Sequence, residues 1–327
     1  MKGRRELLVA SLAVLAPITS YAQSVGRVRR IGVLGNVAPP ANAGSPIQVF
    51  IATLRDLGWI EAKTVAFDYR WAQQRYERFP ALARELVKLG VDLIMVTGGV
   101  TAALAAKQAT TTIPILAVAV ADPVKFGLVA SFARPGGNVT GIAQPLADWG
   151  KWLELAREAV AGATRIAVIG NPTNIVYADY VAQNEAAARQ LGIELQMIPV
   201  AQVDQLAPAF EAMRVAHADA LVVGTDNLYF SNLTEILERA RASRLPVIAP
   251  FRPAADMGAL VAWGFDIRFA FRRAAAYADS ILRGTPPADL PMEQPSRFEL
   301  VINLKIAKGL GLTIPQSMLL RADEVIR

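Results

Sequence analysis

Short apolar runs alternate with longer amphipathic stretches along most of the chain, and each run predicts one element. Arg30-Ile-Gly-Val-Leu-Gly-Asn36 reads as a buried strand ending in a Gly-Asn turn. Apolar spacing from Pro46 to Leu57 predicts a helix stopped by Gly58. Thr64 to Trp71 alternates as a strand, and Arg75 to Leu89 is amphipathic and stopped by Gly90. Val91 to Val96 is a buried strand whose loop is Thr97-Gly-Gly-Val-Thr101, and a helix follows over Ala102 to Ala109. A strand begins at Ile113 and runs through Ala117-Val-Ala-Val-Ala121 into Asp122-Pro123. A short helix is expected over Val124 to Phe132, then a glycine turn at Arg134 to Asn138 and an extended exit through Gln144.

The same grammar then repeats. Arg165-Ile-Ala-Val-Ile-Gly-Asn171 matches Arg30 to Asn36 in residue type, 135 positions later. A helix over Ala178 to Leu191 ends at Gly192, a strand spans Ile193 to Val200, and a helix spans Asp204 to about His217. Asp219-Ala-Leu-Val-Val223 repeats Asp92 to Val96, with the loop Gly224-Thr-Asp-Asn227. The next helix reaches Ala242, and Leu245-Pro-Val-Ile-Ala249 repeats Ile113-Pro-Ile-Leu. Strands alternating with helices of 10–15 residues predict parallel sheets. Two matched arrays predict two Rossmann-like lobes rather than one long sheet. Past Pro250 the pattern loosens into a strand (Gly258 to Gly264), a helix (Asp266 to Arg283), a proline-rich stretch, a strand (Phe298 to Leu304) and a short helix (Lys305 to Leu310). The chain is therefore expected to cross between lobes more than once. The first lobe takes residues 27–143 and 265–290, the second takes 144–264 and 291–327, and the segment around Asp122 to Gln144 forms part of the hinge. Such a molecule closes over a ligand.

Composition narrows the chemistry. No cysteine occurs among the 327 residues and only one histidine, His217, which excludes disulfides and thiolate chemistry and leaves no His-rich metal site. Lys2, Arg4 and Arg5 precede an apolar run from Leu7 to Ile18, and Ser20-Tyr21-Ala22 offers a small-x-small cleavage site. That is a signal peptide over residues 1–22, with a run too short to span a bilayer. Arg4-Arg5 is compatible with a twin-arginine route, and no cysteine follows the run to carry a lipid anchor. The mature protein is expected to be soluble and exported. Its net charge falls from +6 to +4 when the leader's three basic and one acidic groups go, with no dense basic stripe for nucleic acid.

Several stretches together resemble one family. They are Asp122-Pro-Val with Gly127-Leu-Val-Ala-Ser131, Ala133-Arg-Pro-Gly-Gly-Asn-Val-Thr-Gly141, Glu293-Gln-Pro, Phe298-Glu-Leu-Val-Ile-Asn-Leu-Lys305, and the tail Gly309-Leu-Gly-Leu-Thr-Ile-Pro315 with Leu319-Leu-Arg-Ala-Asp323. The chain is similar to the tryptophan-type ABC-transporter substrate-binding proteins, of type I periplasmic binding fold. The resemblance implies a periplasmic receptor that delivers a small molecule to an inner-membrane permease, without cofactor or enzymatic turnover. A ligand-sensing module on the same fold is the alternative, and an exported enzyme is the weaker one.

In open α/β sheets the loops after the strands face the ligand crevice. Those loops offer Asn36, Thr97, Gly98, Gly99, Thr101 and Asp122 from the first lobe. The second offers Asn171, Asn174, Tyr177, Asp226, Tyr229, Phe251 and Trp263. Thr97 to Thr101 opens a helix, so its free N–H groups and hydroxyls suit a carboxylate; the same residues also make a plain tight turn with Thr101 as cap. The loop is no nucleotide loop, because the Gly-x4-Gly-Lys spacing is missing. Asp122 and Asp226 read either as acceptors for a ligand ammonium or hydroxyl, or as helix caps. Asn36 and Asn171 are site groups or turn formers. Tyr177, Tyr229, Phe251 and Trp263 are stacking walls or core. The expected ligand is an amino acid or an aromatic carboxylate, and the expected assembly a monomer.

Overall fold

The computed structural model describes residues 27–38, 45–144, 149–295 and 298–327; the leader expected over residues 1–22 lies outside them. The first lobe is built from β1 (Arg29–Gly35), α1 (Pro46–Asp56), β2 (Val65–Trp71), α2 (Phe79–Lys88), β3 (Leu93–Val96), α3 (Gly99–Ala109), β4 (Ile115–Val120) and β5 (Val139–Ala143). The second runs through α4 (Gly150–Ala159), β6 (Arg165–Gly170), α5 (Tyr177–Leu191), β7 (Glu194–Pro199), α6 (Leu206–Val215), β8 (Ala220–Val223), α7 (Asn227–Ser231), α8 (Leu233–Ala242), β9 (Val247–Ala249), α9 (Arg252–Met257) and β10 (Val261–Phe265). The remainder is α10 (Ile267–Leu282), β11 (Phe298–Asn303), α11 (Leu304–Leu310), α12 (Gln316–Arg321) and β12 (Glu324–Ile326).

Five parallel strands in the order β2-β1-β3-β4-β5 form one sheet, and seven in the order β12-β11-β10-β9-β8-β6-β7 form the other. Among the described strands only the β10–β11 pairing is antiparallel. The central strands are buried on both faces, so Leu93–Val96 and Ala220–Val223 are apolar at every position. Helices cover both faces of each sheet. In the first lobe α2 and α3 lie on one face and α1 with α10 on the other. In the second, α4, α5, α11 and α12 oppose α6 to α9.

Each array begins with the same device. The Asp92 carboxylate accepts the Arg30 amide at 2.8 Å, and Asp219 accepts the Arg165 amide at 2.8 Å and the Thr164 amide at 2.9 Å. An aspartate one residue before an inner strand thus ties down the start of its neighbour, which explains why the repeat carries Asp92 and Asp219.

The lobes exchange helices. After β5 the chain crosses and α4 packs on the second sheet; after β10 it crosses back and α10 packs on the first. It then runs beside β5, where Glu293 N–H donates to Gly141 O and Ala143 N–H to Glu293 O, before entering β11. Residues 291–294, given to the second lobe on the sequence pattern, thus lie along the first lobe's edge strand. Gln294 Nε2 donates to Gln144 O, joining two of the three crossings. The Arg273 guanidinium forks onto Glu293 and holds that carboxyl below its ordinary range. Gly141 cannot be replaced here: its φ is +145°, and a Cβ would lie 1.9 Å from Ala117 O.

The structure differs from the sequence pattern at two kinds of place. The helix expected over Val124 to Phe132 is a run of turns, in which Phe126 N–H reaches Asp122 O and Leu128 N–H reaches Pro123 O. Pro123 has no N–H, Gly127 takes a φ of 66°, and Asp122 itself has a φ of 27°, so no helical ladder propagates. The pattern also passes over α4, α9, α12 and β12, of which α9, α12 and β12 are short.

Candidate ligand site between the lobes

The C-terminal ends of β1, β3, β6 and β8 bring Asn36, Thr97, Asn171 and the Gly224–Asp226 loop to the seam between the lobes. Asp226 is its centre. Among the described residues it is the only buried acidic side chain, 7% exposed, and no Lys or Arg lies within ion-pair distance. It takes extended backbone before α7 and caps that helix through Leu228 N–H at 2.8 Å. Asn174 Nδ2 donates to its Oδ2 at 2.7 Å and Asn171 Nδ2 to its Oδ1 at 3.3 Å. The last donor comes from the other lobe: Tyr76 Oη lies 2.9 and 3.0 Å from the two carboxylate oxygens. Tyr76 sits in a single 3-10 turn, Tyr76–Arg78, between β2 and α2. Burial first, then the Asp226 charge, pushes its phenol far above the ordinary tyrosine range, so it stays protonated and donates.

Four further contacts among the described residues join the lobes. Asn227 Nδ2 donates to Thr97 O at 3.4 Å, and Lys125 Nζ pairs with Asp179 at 2.6 Å nearer the surface. Val176, just before α5, is buried in the first lobe's core cluster. Trp149 packs against the cores of both lobes and meets Tyr180 edge-on at 5.1 Å.

Polar groups without partners collect at the same strand ends. The Asn36 side chain is 2% exposed, and neither its Nδ2 nor its Oδ1 has a hydrogen-bond partner. Thr101 Oγ1, in the first turn of α3, is buried and unpartnered as well. Gly98 and Gly99 open that helix, Gly99 with a φ of 74° that only glycine takes at no cost. In the second lobe the Tyr180 hydroxyl is buried and unpartnered beside a cavity of about 20 Å³ lined by Asn171, Asn174, Tyr177 and Asp226. That volume holds about one water. A groove of about 220 Å³ lies at the opposite end of this lobe beside Asp219, whose carboxylate is committed to the Thr164 and Arg165 amides.

The residues proposed from the sequence separate into two groups. Asn36, Thr97, Gly98, Gly99, Thr101, Asn171, Asn174, Tyr177 and Asp226 come together at the seam. Asp122 stands apart: it is partly exposed, and its carboxylate accepts Lys125 N–H, capping the turn that replaces the expected helix. Tyr229 is core, 1% exposed, its hydroxyl donating to Val200 O. Trp263 stacks on Phe298 at 4.3 Å and meets Trp152 edge-on at 5.3 Å within the second lobe's core. Phe251 meets Phe230 edge-on at 5.1 Å before α9. The sequence reading missed Tyr76, Asn227, Val176, Trp149 and Trp71. The Trp71 ring lies across Gly35 toward Thr97, where a Cβ on Gly35 would meet Trp71 Cζ3 at 2.3 Å and Thr97 Oγ1 at 2.6 Å. Gly35 is what gives that ring its seat.

Comparison with known proteins agrees with this geometry. A family model described as ABC transporter substrate binding protein matches residues 31–326. A tyrosine-binding protein of Clostridioides difficile (strain R20291) is 30% identical over 263 residues, which cover 80% of this chain and 75% of the relative. A Streptococcus pneumoniae ABC domain solved in complex with L-Trp superposes with a TM-score of 0.79 at 25% identity, covering 91% of this chain and 99% of the other. A Clostridium difficile substrate-binding protein in its ligand-free, open structure is 26% identical and superposes at only 0.62, covering 92% and 99%. Near-equal identity with unequal superposition points to a difference in lobe arrangement. In this chain the contacts from Tyr76 to Asp226 and from Asn227 to Thr97 bridge the lobes, and opening would part them.

Proposed function

This chain belongs to the ABC transporter substrate-binding protein family, a family of solute-binding proteins that serve membrane permeases, and on that premise we propose that it captures an amino acid with an aromatic side chain between its lobes. The observation that carries the ligand class is Asp226, a buried carboxylate at the seam with no cationic partner among the described residues. A buried charge of this kind is costly unless compensated, and a ligand ammonium compensates it. The ligand carboxylate goes to the start of α3, where the free N–H groups, Thr97, Thr101 and the unpartnered Asn36 amide supply donors. Trp71, held by Tyr69 stacked at 5.7 Å, offers a flat wall beside that position. The names of the relatives, one tyrosine-binding and one complexed with L-Trp, support the same class.

Function on this reading is closure, not chemistry. The ligand binds groups from both lobes at once, so it favours the closed arrangement that a permease recognises. The protein works as an exported, periplasmic monomer. Among the described residues no helix is long and apolar enough to cross a membrane.

The test is a calorimetric titration of mature, ligand-stripped protein with amino acids, aromatic acids, sugars and nucleosides. Micromolar or tighter binding of L-tyrosine or L-tryptophan is expected, with a raised melting temperature by mass action. Binding confined to sugars or nucleosides overturns the ligand class, and product formation from the bound solute overturns the closure-only mechanism.

A further inference from the structure

A carboxylate has about four lone-pair positions, and those of Asp226 are filled. Leu228 N–H and Asn171 Nδ2 donate to Oδ1, Asn174 Nδ2 to Oδ2, and the Tyr76 hydroxyl spans both. Three of these donors belong to the second lobe and move with Asp226. Tyr76 alone reaches across from the first, 150 positions away in sequence, and is the donor lost when the lobes part. A ligand group that reaches Asp226 must therefore take the place of the phenol.

We propose that Tyr76 is a built-in competitor for Asp226, a specificity-determining residue that makes capture depend on a donor stronger than a phenol. A neutral ligand hydroxyl exchanges like for like and gains nothing. An ammonium forms a hydrogen bond with charge on both partners, roughly twice as strong as a neutral one, and brings a positive charge to a carboxylate that has no Lys or Arg partner among the described residues. The residue thus lowers the affinity of every ligand that must displace it by the same factor, so that neutral polyols of the right shape fall below capture while amines stay above it. The inference rests on the amino-acid reading above.

The test compares wild type and Tyr76→Phe by titration calorimetry with three ligands. They are L-tyrosine or L-tryptophan (whichever binds wild type tighter), its α-hydroxy analogue, and its deaminated acid. Thermal melts show that the variant is folded. Loss of the competitor should tighten the amino acid and the hydroxy analogue by about tenfold, the worth of one hydrogen bond to a charged group. The deaminated acid brings no donor to Asp226 and should bind the variant no tighter than wild type. Small-angle scattering of the ligand-stripped variant should show a larger radius of gyration than wild type, because a cross-lobe contact is gone. Weaker binding of the amino acid to Tyr76→Phe makes the phenol a supporting ligand contact and overturns the proposal; so does unchanged affinity for the amino acid and its hydroxy analogue. Equal wild-type affinity for the amino acid and the deaminated acid is a different failure, because it removes the ammonium reading on which the proposal stands.

Discussion

The two lobes share a plan at one end and part company at the other. At the N-terminal ends of their strands, Asp92 and Asp219 make the same backbone contact with the start of β1 and β6. At the C-terminal ends the matched asparagines have opposite fates. Asn36 is buried with both side-chain atoms unpartnered, whereas Asn171 accepts from Thr173 N–H and Oγ1 and donates to Asp226. The two aspartates offered by the strand-end loops differ too and are not equivalent: Asp122 follows β4 and caps a half-exposed turn, whereas Asp226 follows β8, the counterpart of β3, and sits buried at the seam. Folding asks the same thing of both lobes where strands begin. On the proposed reading, recognition asks for complementary halves where strands end: unfilled donors from one lobe, negative charge from the other.

The harshest challenge to that division is to neutralise the charge in each lobe separately. Asp226→Asn is nearly isosteric, but it removes the charge that an ammonium needs and turns one accepting oxygen into an NH2 donor. Losing one partner of a buried, hydrogen-bonded charge pair costs about 2–5 kcal/mol, so affinity for the amino acid should fall by roughly a hundredfold or more. Asp122→Asn, at the first lobe's own strand-end aspartate, should change affinity by less than about threefold, since that carboxylate is tied to Lys125 N–H. Equal losses from the two variants, read by calorimetry, would mean that both lobes supply charge.

Next in size is the asparagine pair, where the two lobes should differ in sign. An unpartnered buried amide costs about 1–3 kcal/mol. Asn36→Leu should therefore raise the melting temperature of the ligand-stripped protein while weakening ligand binding about tenfold. Asn171→Leu breaks the bonds to Thr173 and Asp226 and should lower the melting temperature. A drop in melting temperature for Asn36→Leu would show that its amide is satisfied in solution, and it would leave the first lobe's share of the site.

This asymmetry also explains what the sequence could and could not reveal. Buried parallel strands are continuous apolar runs, so Leu93–Val96 and Ala220–Val223 announce themselves, and loops after strands point to Asn36, Thr97, Asn171 and Asp226 by topology alone. Tyr76 does not, because its partner is 150 positions away and nothing in Arg75-Tyr-Glu-Arg78 marks a residue that crosses a cleft. Tyr229 and Trp263 mislead for the converse reason. A ring after a strand serves equally as wall or core, and only packing against Val200 O or Phe298 decides which. Trp71 ends a strand whose alternation was plain, but its role depends on the absence of a side chain at Gly35, which no periodicity records. The expected helix after Asp122 fails because apolar spacing outvoted Pro123 and Gly127, the residues that govern the backbone there.

The smallest effect expected is also the one that should be shared. Asp92→Ala and Asp219→Ala each remove a carboxylate from strand-start amides and should destabilise by about 1–3 kcal/mol without touching affinity. The Asp219 variant adds a pH signature. Burial pushes its carboxyl upward, but the Arg165 and Thr164 amides outweigh burial, and the net result is a carboxyl held below its ordinary range. A lowered folded-state value means that the ionised form is favoured by folding. Its contribution is complete above the ordinary aspartate range, near pH 4, and fades as pH falls through the lower folded value. The stability gap between wild type and Asp219→Asn, measured by urea unfolding, should therefore be constant from pH 7 to pH 5 and narrow toward pH 3. A gap that widens in acid would mean that the Asp219 carboxyl is harder to ionise in the folded chain than in the unfolded one. The shared start of the two lobes would then be a matter of sequence and not of the same contact.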